Sequence, residues 1–156
     1  MREPITSQGY VKLKKELEHL KGVQRPAVIE AIAEARSHGD LSENAEYDAA
    51  KDRQGYIEAR IRDIETKIAT AEIIDVSTLS GDKVTFGATV KLLDMESEKE
   101  VAYQIVGVDE ADLNHGRISV RSPMARALIG KTPGDDVTLV APGGTREYEI
   151  QEVSFH

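Results

Sequence analysis

Residues 36 to 50 read Arg-Ser-His-Gly-Asp-Leu-Ser-Glu-Asn-Ala-Glu-Tyr-Asp-Ala-Ala, and the path the backbone takes through them decides the fold. Gly39 suits the position just past a helix end, where a left-handed backbone carries no Cβ penalty. Asp40 follows as a candidate N-cap for a second helix, with Glu43 three residues on in the spacing of a capping box. Ser42 is an alternative cap, which would leave Asp40 free to point outward. The stretch therefore predicts a tight bend between two helices, with two carboxylates at the bend.

Apolar spacing on both sides supports two long helices. Upstream, Thr6 or Ser7 can cap a helix that begins just after Pro4, and Tyr10, Leu13, Leu17 and Leu20 form a narrow stripe. The pattern weakens at Gly22 to Pro26, which predicts a kink or an irregular turn. It resumes with Ala27, Val28, Ala31, Ile32 and Ala35. Downstream, Ala50, Gln54, Ile57, Ile61, Ile64, Ile68 and Ala71 alternate steps of four and three, a coiled-coil seam. Two such seams joined by a short turn predict an antiparallel helical hairpin over residues 6 to 75. About 30 residues per helix gives an arm of roughly 45 Å. Ala31, Ala33 and Ala35 on one side, with Ala45, Ala49 and Ala50 on the other, predict a taper toward the bend.

After Asp75 the pattern changes. Ser77 to Lys83 reads as a linker, and strand-like runs follow at 84–93, 100–108, 118–120, 137–141 and 146–153. Pro142-Gly143-Gly144-Thr145 is a hairpin-turn signal. Ser122 as N-cap, Pro123 at the first position and Gly130 as a stop mark one short helix. The fold class is thus two-domain: a coiled-coil hairpin over 1–76 with its acidic tip at 38–47, then an α+β domain over 77–156 with an antiparallel sheet and one helix.

Composition narrows the function. The chain of 156 residues has net charge −8, with 12 basic and 15 acidic residues through Asp75 and 8 and 13 after it, so neither half has the basic face that duplex DNA needs. With no cysteine, a disulfide framework, a thiol nucleophile and a thiolate zinc site are all excluded. No apolar run has the length of a transmembrane helix and the N-terminus lacks a signal-peptide core, so a cytoplasmic protein with no membrane partner is expected. A hairpin that fills its own seam should be monomeric.

The bend admits two accounts. In the first, Asp40 and Glu43 only cap a helix, where its dipole favours acids by about 0.3–1 kcal/mol, and the chain is a coiled-coil adaptor. In the second, they bind a hard cation. Mg²⁺ often takes one or two carboxylates from a protein and fills its octahedron with phosphates and water. Glu46 and Asp48 face other directions, so the tip would bring half a metal site to a partner holding the other half. Arg36, Lys51 and Arg53, within about four helical turns of the bend, are candidate contacts to RNA phosphates. Otherwise they lie on a solvated face with ordinary ion pairs, such as Lys51 with Asp48.

The run His-Gly-Asp-Leu-Ser-Glu-Asn-Ala-Glu-Tyr-Asp-Ala-Ala-Lys (38 to 51) resembles the tip motif of the bacterial Gre transcript-cleavage factors. The likeness continues in Ile-Glu-Ala-Arg-Ile-Arg-Asp-Ile-Glu (57 to 65) and Ser-Pro-Met-Ala-Arg-Ala-Leu-Ile-Gly-Lys (122 to 131), and spans both domains. The resemblance implies a transcription elongation factor whose arm enters the secondary channel of RNA polymerase. There it is not itself an enzyme but stimulates the polymerase to cleave backtracked RNA near the nascent 3′ end. By position, Asp40 and Glu43 are the catalytic acids that share a second Mg²⁺ with the polymerase. Leu41, Ser42, Asn44 and Tyr47 position the tip. No tightly bound cofactor is implied. The acidic balance is similar to that of members with a small basic patch, and the extra tip acids of inhibitory relatives are missing, which implies an activating factor.

For the second domain the resemblance implies a sheet of the FK506-binding-protein type. It also implies docking on a β′ coiled coil of the polymerase at the channel rim, with Ser122, Pro123 and Met124 as candidate contacts. These three residues equally suit a capped helix start with Met124 in the core. Prolyl isomerisation would need an aromatic pocket, and this domain offers only Phe86, Tyr103, Tyr148 and Phe155.

Overall fold

A computed structural model describes residues 2–37, 39 and 44–156. The chain divides into two compact units, Tyr10–Ala71 and a second formed by Arg2–Gly9 with Glu72–His156. The boundary drawn from sequence at residue 76 falls inside the second unit, because the chain's first residues and those after Ala71 meet there in a two-stranded sheet. Its strands are β1 (Glu3–Thr6) and β2 (Ala71–Ile74).

In the first unit, α1 (Ser7–His19) passes through a π-helical turn at Leu20–Gln24 into α2 (Arg25–Ser37), and α3 (Ala45–Thr70) returns. Thr6 is the cap of α1, its Oγ1 accepting from Gly9 N–H at 3.0 Å. The irregularity expected at Gly22 to Pro26 is the π turn, in which Arg25 N–H bonds to Leu20 O, five residues back. Pro26 explains its place, since proline has no N–H to continue the α-helical ladder into this turn. The turn absorbs one extra residue. Seam positions Leu13 and Leu20 are seven apart, the next step runs eight to Val28, and Ala35 follows seven later, all four being buried while Ala27 is exposed.

Against that stripe α3 sets Ala50, Ile57, Ile61 and Ile64, all buried, with Gln54 and Ile68 half-buried. The pairing is antiparallel. Near the bend the Asn44 side chain meets Ala35, and further away Arg25 grips the Glu58 carboxylate with two bonds of 2.8 and 2.9 Å. Arg60 does the same to Glu16, at 2.7 and 2.9 Å. These donors hold both glutamates below the usual carboxylate range.

Two expectations for the arm need correction. The second helix ends at Thr70, and residues 71–74 are strand, because Ile73 and Ile74 are taken up by pairing near β1 rather than by the seam. Of the alanines expected to draw the helices together, only Ala35 and Ala50 are buried and Ala31 is half-buried. Ala33, Ala45 and Ala49 are exposed, being out of phase with the seam.

The second unit holds a five-stranded sheet in the order β5-β4-β3-β7-β6. Its strands are β3 (Thr89–Asp94), β4 (Glu100–Val106), β5 (Arg117–Ser119), β6 (Asp136–Ala141) and β7 (Gly144–Ser154). The sheet is mixed rather than purely antiparallel, since β5 runs parallel to β4 with Ile105 opposite Ile118. Residues 84–88 are not strand. Gly87, at φ +87°, turns the chain away from extended geometry, and a Cβ there would lie 2.9 Å from Val76 Cγ2. In β7 the alternation Tyr148, Ile150, Val153 slips by one residue because Gln151 is bulged: Lys91 pairs with Glu152, and the next residue, Leu92, pairs with Ile150.

Helix α4 (Pro123–Leu128) starts as expected, with Ser122 Oγ accepting from Ala125 N–H at 3.1 Å. It lays Ala125 and Leu128 on a core of Val84, Val90, Leu92, Ile105, Tyr148 and Ile150. Buried Asp94 accepts from the Glu96 and Ser97 N–H groups and from Arg146 at 2.9 Å, which together keep it below its ordinary range.

Candidate functional site

The bend is built from its two flanks. Helix α2 closes with Gly39, whose N–H bonds to Arg36 O at 3.2 Å and whose φ of +98° lies in the region expected of it. Asp40, Leu41, Ser42 and Glu43, the two candidate acids and two of the candidate positioning residues, lie outside the described residues, as does His38.

Helix α3 begins later than the sequence predicts, and its cap is neither Asp40 nor Ser42. Asn44 holds that position: with φ −90° and ψ 98° it places Oδ1 to accept Tyr47 N–H at 3.1 Å. Its Nδ2 donates to Ala35 O, across the hairpin, at 2.7 Å. The two bonds fix the amide's orientation, since a flipped side chain would set oxygen against carbonyl and N–H against N–H. Asn44 thus caps one helix and ties it to the other, and the Asp40–Glu43 box is not needed to start α3. Asp, Ser and Asn are almost equally good caps. The choice is made by Ala35, nine residues away, and no local pattern encodes that contact.

Tyr47, in the first turn of α3, is half-buried, and the Arg36 guanidinium lies over its ring at 6.0 Å. Sequence reading selected both residues but did not connect them. Lys51 donates to Gln54 Oε1 at 3.2 Å, a partner other than the expected Asp48, and Arg53 is exposed. Exposed Glu46 and Asp48 lie in the first turn of α3, where its dipole favours them. Among the described residues no three His, Asp or Glu side chains converge on a metal position, and the metal expectation rests on the two acids beyond them.

In the second unit Ser122 is engaged as the cap of α4, Pro123 is exposed, and Met124 is half-buried against the core. All four aromatic residues serve packing: Tyr148 is buried, and Phe86, Tyr103 and Phe155 pack against the same core. An open depression of about 380 Å³ on the sheet, between Lys91, Glu100, Ala102, Glu152 and His156, is lined by none of them.

Comparison with known proteins covers both units. Residues 3–73 match the family described as "Transcription elongation factor, N-terminal", and residues 79–155 match "Transcription elongation factor, GreA/GreB, C-term". The transcription elongation factor GreA of Acidiphilium cryptum (strain JF-5) is 63% identical over 152 residues, 97% of each chain. That of Methylococcus capsulatus is 61% identical over 155 residues, covering 99% of this chain and 98% of its own. Among solved structures, the GreA factor homolog Gfh1 of Thermus thermophilus aligns over 99% of both chains at 29% identity, with a TM-score of 0.46. Two family matches that together run from residue 3 to residue 155, and relatives above 60% identity over nearly the whole length, leave one conclusion: the chain belongs to the GreA/GreB family of transcription elongation factors.

Proposed function

We propose that this chain acts on RNA polymerase by inserting the bend of its hairpin into the secondary channel, where Asp40 and Glu43 promote the polymerase's own hydrolysis of backtracked RNA. The observation that carries the reading is the position of Asn44. Because Asn44 caps α3 and bonds to Ala35 O, the start of that helix does not consume either acid. Both belong in sequence to the short reversal between Gly39 and Asn44.

Two carboxylates are hard oxygen donors in the number that Mg²⁺ commonly takes from protein, so the donor set fits a share of such a site. A magnesium ion bound there supplies Lewis-acid activation of a water for phosphodiester cleavage. The chain's own contribution is to bring charge and orientation. Asn44 ties the start of α3 to the end of α2, and the seam between the two helices holds the hairpin together. The isolated protein then has half a site, binds Mg²⁺ weakly and cleaves nothing alone. In the second unit, exposed Pro123 beside the Ser122 cap is the proposed point of contact with a β′ coiled coil at the channel rim. Met124, packed on the core, supports that contact from beneath.

The test is a purified backtracked elongation complex, with its RNA labelled away from the 3′ end, given saturating wild-type protein or the Asp40→Ala/Glu43→Ala variant with Mg²⁺. Cleavage with the wild type, and a variant that competes for binding yet leaves the rate at its unstimulated level, is the expected result. Equal stimulation by both proteins would remove the acids from the mechanism.

A further inference from the structure

Strand β1 packs against β4 and the loop that follows β5, and one carboxylate fastens it there; every residue concerned belongs to the second unit. Glu110, at the end of the 3-10 turn Val108–Glu110, accepts from Thr6 N–H at 3.1 Å and from Gly107 N–H at 2.8 Å, and Thr6 Oγ1 donates to it as well. Thr6 is 4% exposed, so its donors have little solvent to turn to if that carboxylate leaves. Two glycines make the seat. A Cβ on Gly107 would lie 2.7 Å from Pro4 O, and a Cβ on Gly9 would strike the Glu110 carboxylate itself. At its other end β1 is tied by an ion pair between Glu3 and Arg121, both exposed, and such a surface pair holds little alone. The grip therefore falls to Glu110. Arg121 immediately precedes the cap of α4: its N–H bonds to Ser119 Oγ at 3.1 Å, and its carbonyl accepts from Arg126 Nε at 3.0 Å.

We infer that residues 3–9 form a strap, latched by Glu110, that braces the 119–123 turn presenting Pro123, and that Glu110 and Gly9 are positioning residues for the docking contact. The inference rests on the contact proposed above for Pro123, and its physical core is testable without polymerase. A turn braced before docking has fewer states to lose when a partner binds. Loosening the strap therefore weakens affinity and leaves the cleavage rate at saturating factor unchanged. Gly9 is the internal control. The far end of a glutamate ordinarily moves aside cheaply, but this one is held by Thr6 N–H, Thr6 Oγ1 and Gly107 N–H, so Gly9→Ala must dislodge the latch. Once the Glu110 carboxylate is removed that clash is gone, and alanine is the better helix residue.

The experiment is a double-mutant cycle in the full chain with Gly9→Ala, Glu110→Ala and both together, and with Glu110→Gln as the variant that keeps the side chain's size. It has three readouts: binding to purified RNA polymerase in competition with labelled wild-type protein, cleavage rate at saturating factor, and amide exchange at Thr6, Gly107 and Ala125 in the isolated protein. A hydrogen bond to a charged group corresponds to about ten-fold or more in an equilibrium. Exchange at Thr6 and Gly107 should quicken by about that factor in Glu110→Ala and by less in Glu110→Gln. Ala125, whose N–H bonds to Ser122 Oγ, should follow in the same order. Affinity should fall by about five-fold, the lower end of the usual coupling between linked sites, at an unchanged saturating rate. Gly9→Ala should behave like Glu110→Ala, and the double variant should be no worse than either. Losses that multiply in the double variant would show that Gly9 acts apart from Glu110 and would overturn the latch. Faster exchange at Thr6 and Gly107, with Ala125 and affinity unchanged, would overturn the strap's hold on the 119–123 turn. Should Glu110→Ala fail to fold, Glu110→Gln and Gly9→Ala decide by the same criteria. If wild-type protein does not bind polymerase, the proposed docking falls. Exchange at Ala125 then decides the strap alone, with an unchanged rate in the variants counting against it.

Discussion

Between Ile57 and Ile64 the hairpin is closed by three isoleucines that are 0–2% exposed, whereas nearer the bend the buried positions Ala35 and Ala50 offer a single methyl group each. Burying an isoleucine side chain is worth about 1.5–3 kcal/mol and a methyl group well under half of that. The distal half of the arm is consequently held by less apolar surface per turn, and a larger share of its order falls to polar contacts: the Asn44 amide, the Gly39 turn and the Arg36–Tyr47 pair. The difference teaches where each task is done. The isoleucine half is held by its apolar seam, and the alanine half by polar contacts that can be removed one hydrogen bond at a time.

The largest break in this comparison is Ile61→Ala. It removes a side chain 2% exposed from the middle of the seam and should destabilise the arm by about 2–5 kcal/mol in urea unfolding followed by helical circular dichroism. A loss under about 1 kcal/mol would mean that the seam collapses around the gap and that the two halves differ less than their burial indicates. Asn44→Ala comes next, at about 0.5–2 kcal/mol for a lost cap. Its effect should be concentrated in amide exchange over the first turns of α3, with residues 57–64 little changed. Uniform acceleration along α3 would show that the bend end and the isoleucine half open together.

Gly55→Ala reverses the sign. Gly55 is exposed in the interior of α3, and a Cβ built there meets nothing within 4 Å. Relative to alanine, glycine in a helix interior costs roughly 0.5–1 kcal/mol, so the variant should be more stable by about that amount. It lies between Ala50 and Ile57, on the junction of the two halves. Exchange that slows on both sides of residue 55 would show that they are coupled through α3, and no gain in stability would show that the glycine is not backbone-limited.

Much of this organisation is legible in the sequence, and the failures share a cause. The four-three spacing of Ile57, Ile61 and Ile64, the Ser122-Pro123 helix start and the Gly39 helix end are all local signals, and each is found where the pattern places it. What escapes is non-local. Residues 71–74 continue the helical run in sequence but are drawn into a strand near residues 3–6. The cap falls to Asn44 because Ala35 O is within reach, and Tyr148, Ile150 and Val153 fall out of step because Gln151 is bulged against β3. The π turn lies between these cases. Pro26 announces an interruption, but only the burial of Val28 in place of Ala27 shows that it adds one residue to the seam. Asp40 and Glu43 are legible only as residue types at their spacing, next to the Asn44 cap.

The smallest effect expected is electrostatic and belongs to the isoleucine half. Arg60 donates two bonds to Glu16, lowering the carboxyl below its ordinary range, and the same contact raises the Arg60 guanidinium. Because the folded value of Glu16 is depressed, its contribution is present at neutral pH, above the unfolded value of about 4.3. It is lost as pH falls through the folded value, when the unfolded chain takes up the proton first. Glu16 is 41% exposed at its side chain, so solvent screening keeps the contribution under about 1 kcal/mol. The check is the melting temperature of the wild type and of Glu16→Gln between pH 7 and pH 3, at low and at 1 M salt. The variant should start lower at pH 7, lose less on acidification, and meet the wild type at the acid end, with the gap narrowing in high salt. Parallel curves would mean that the Arg60 bridge adds nothing to holding α1 against α3.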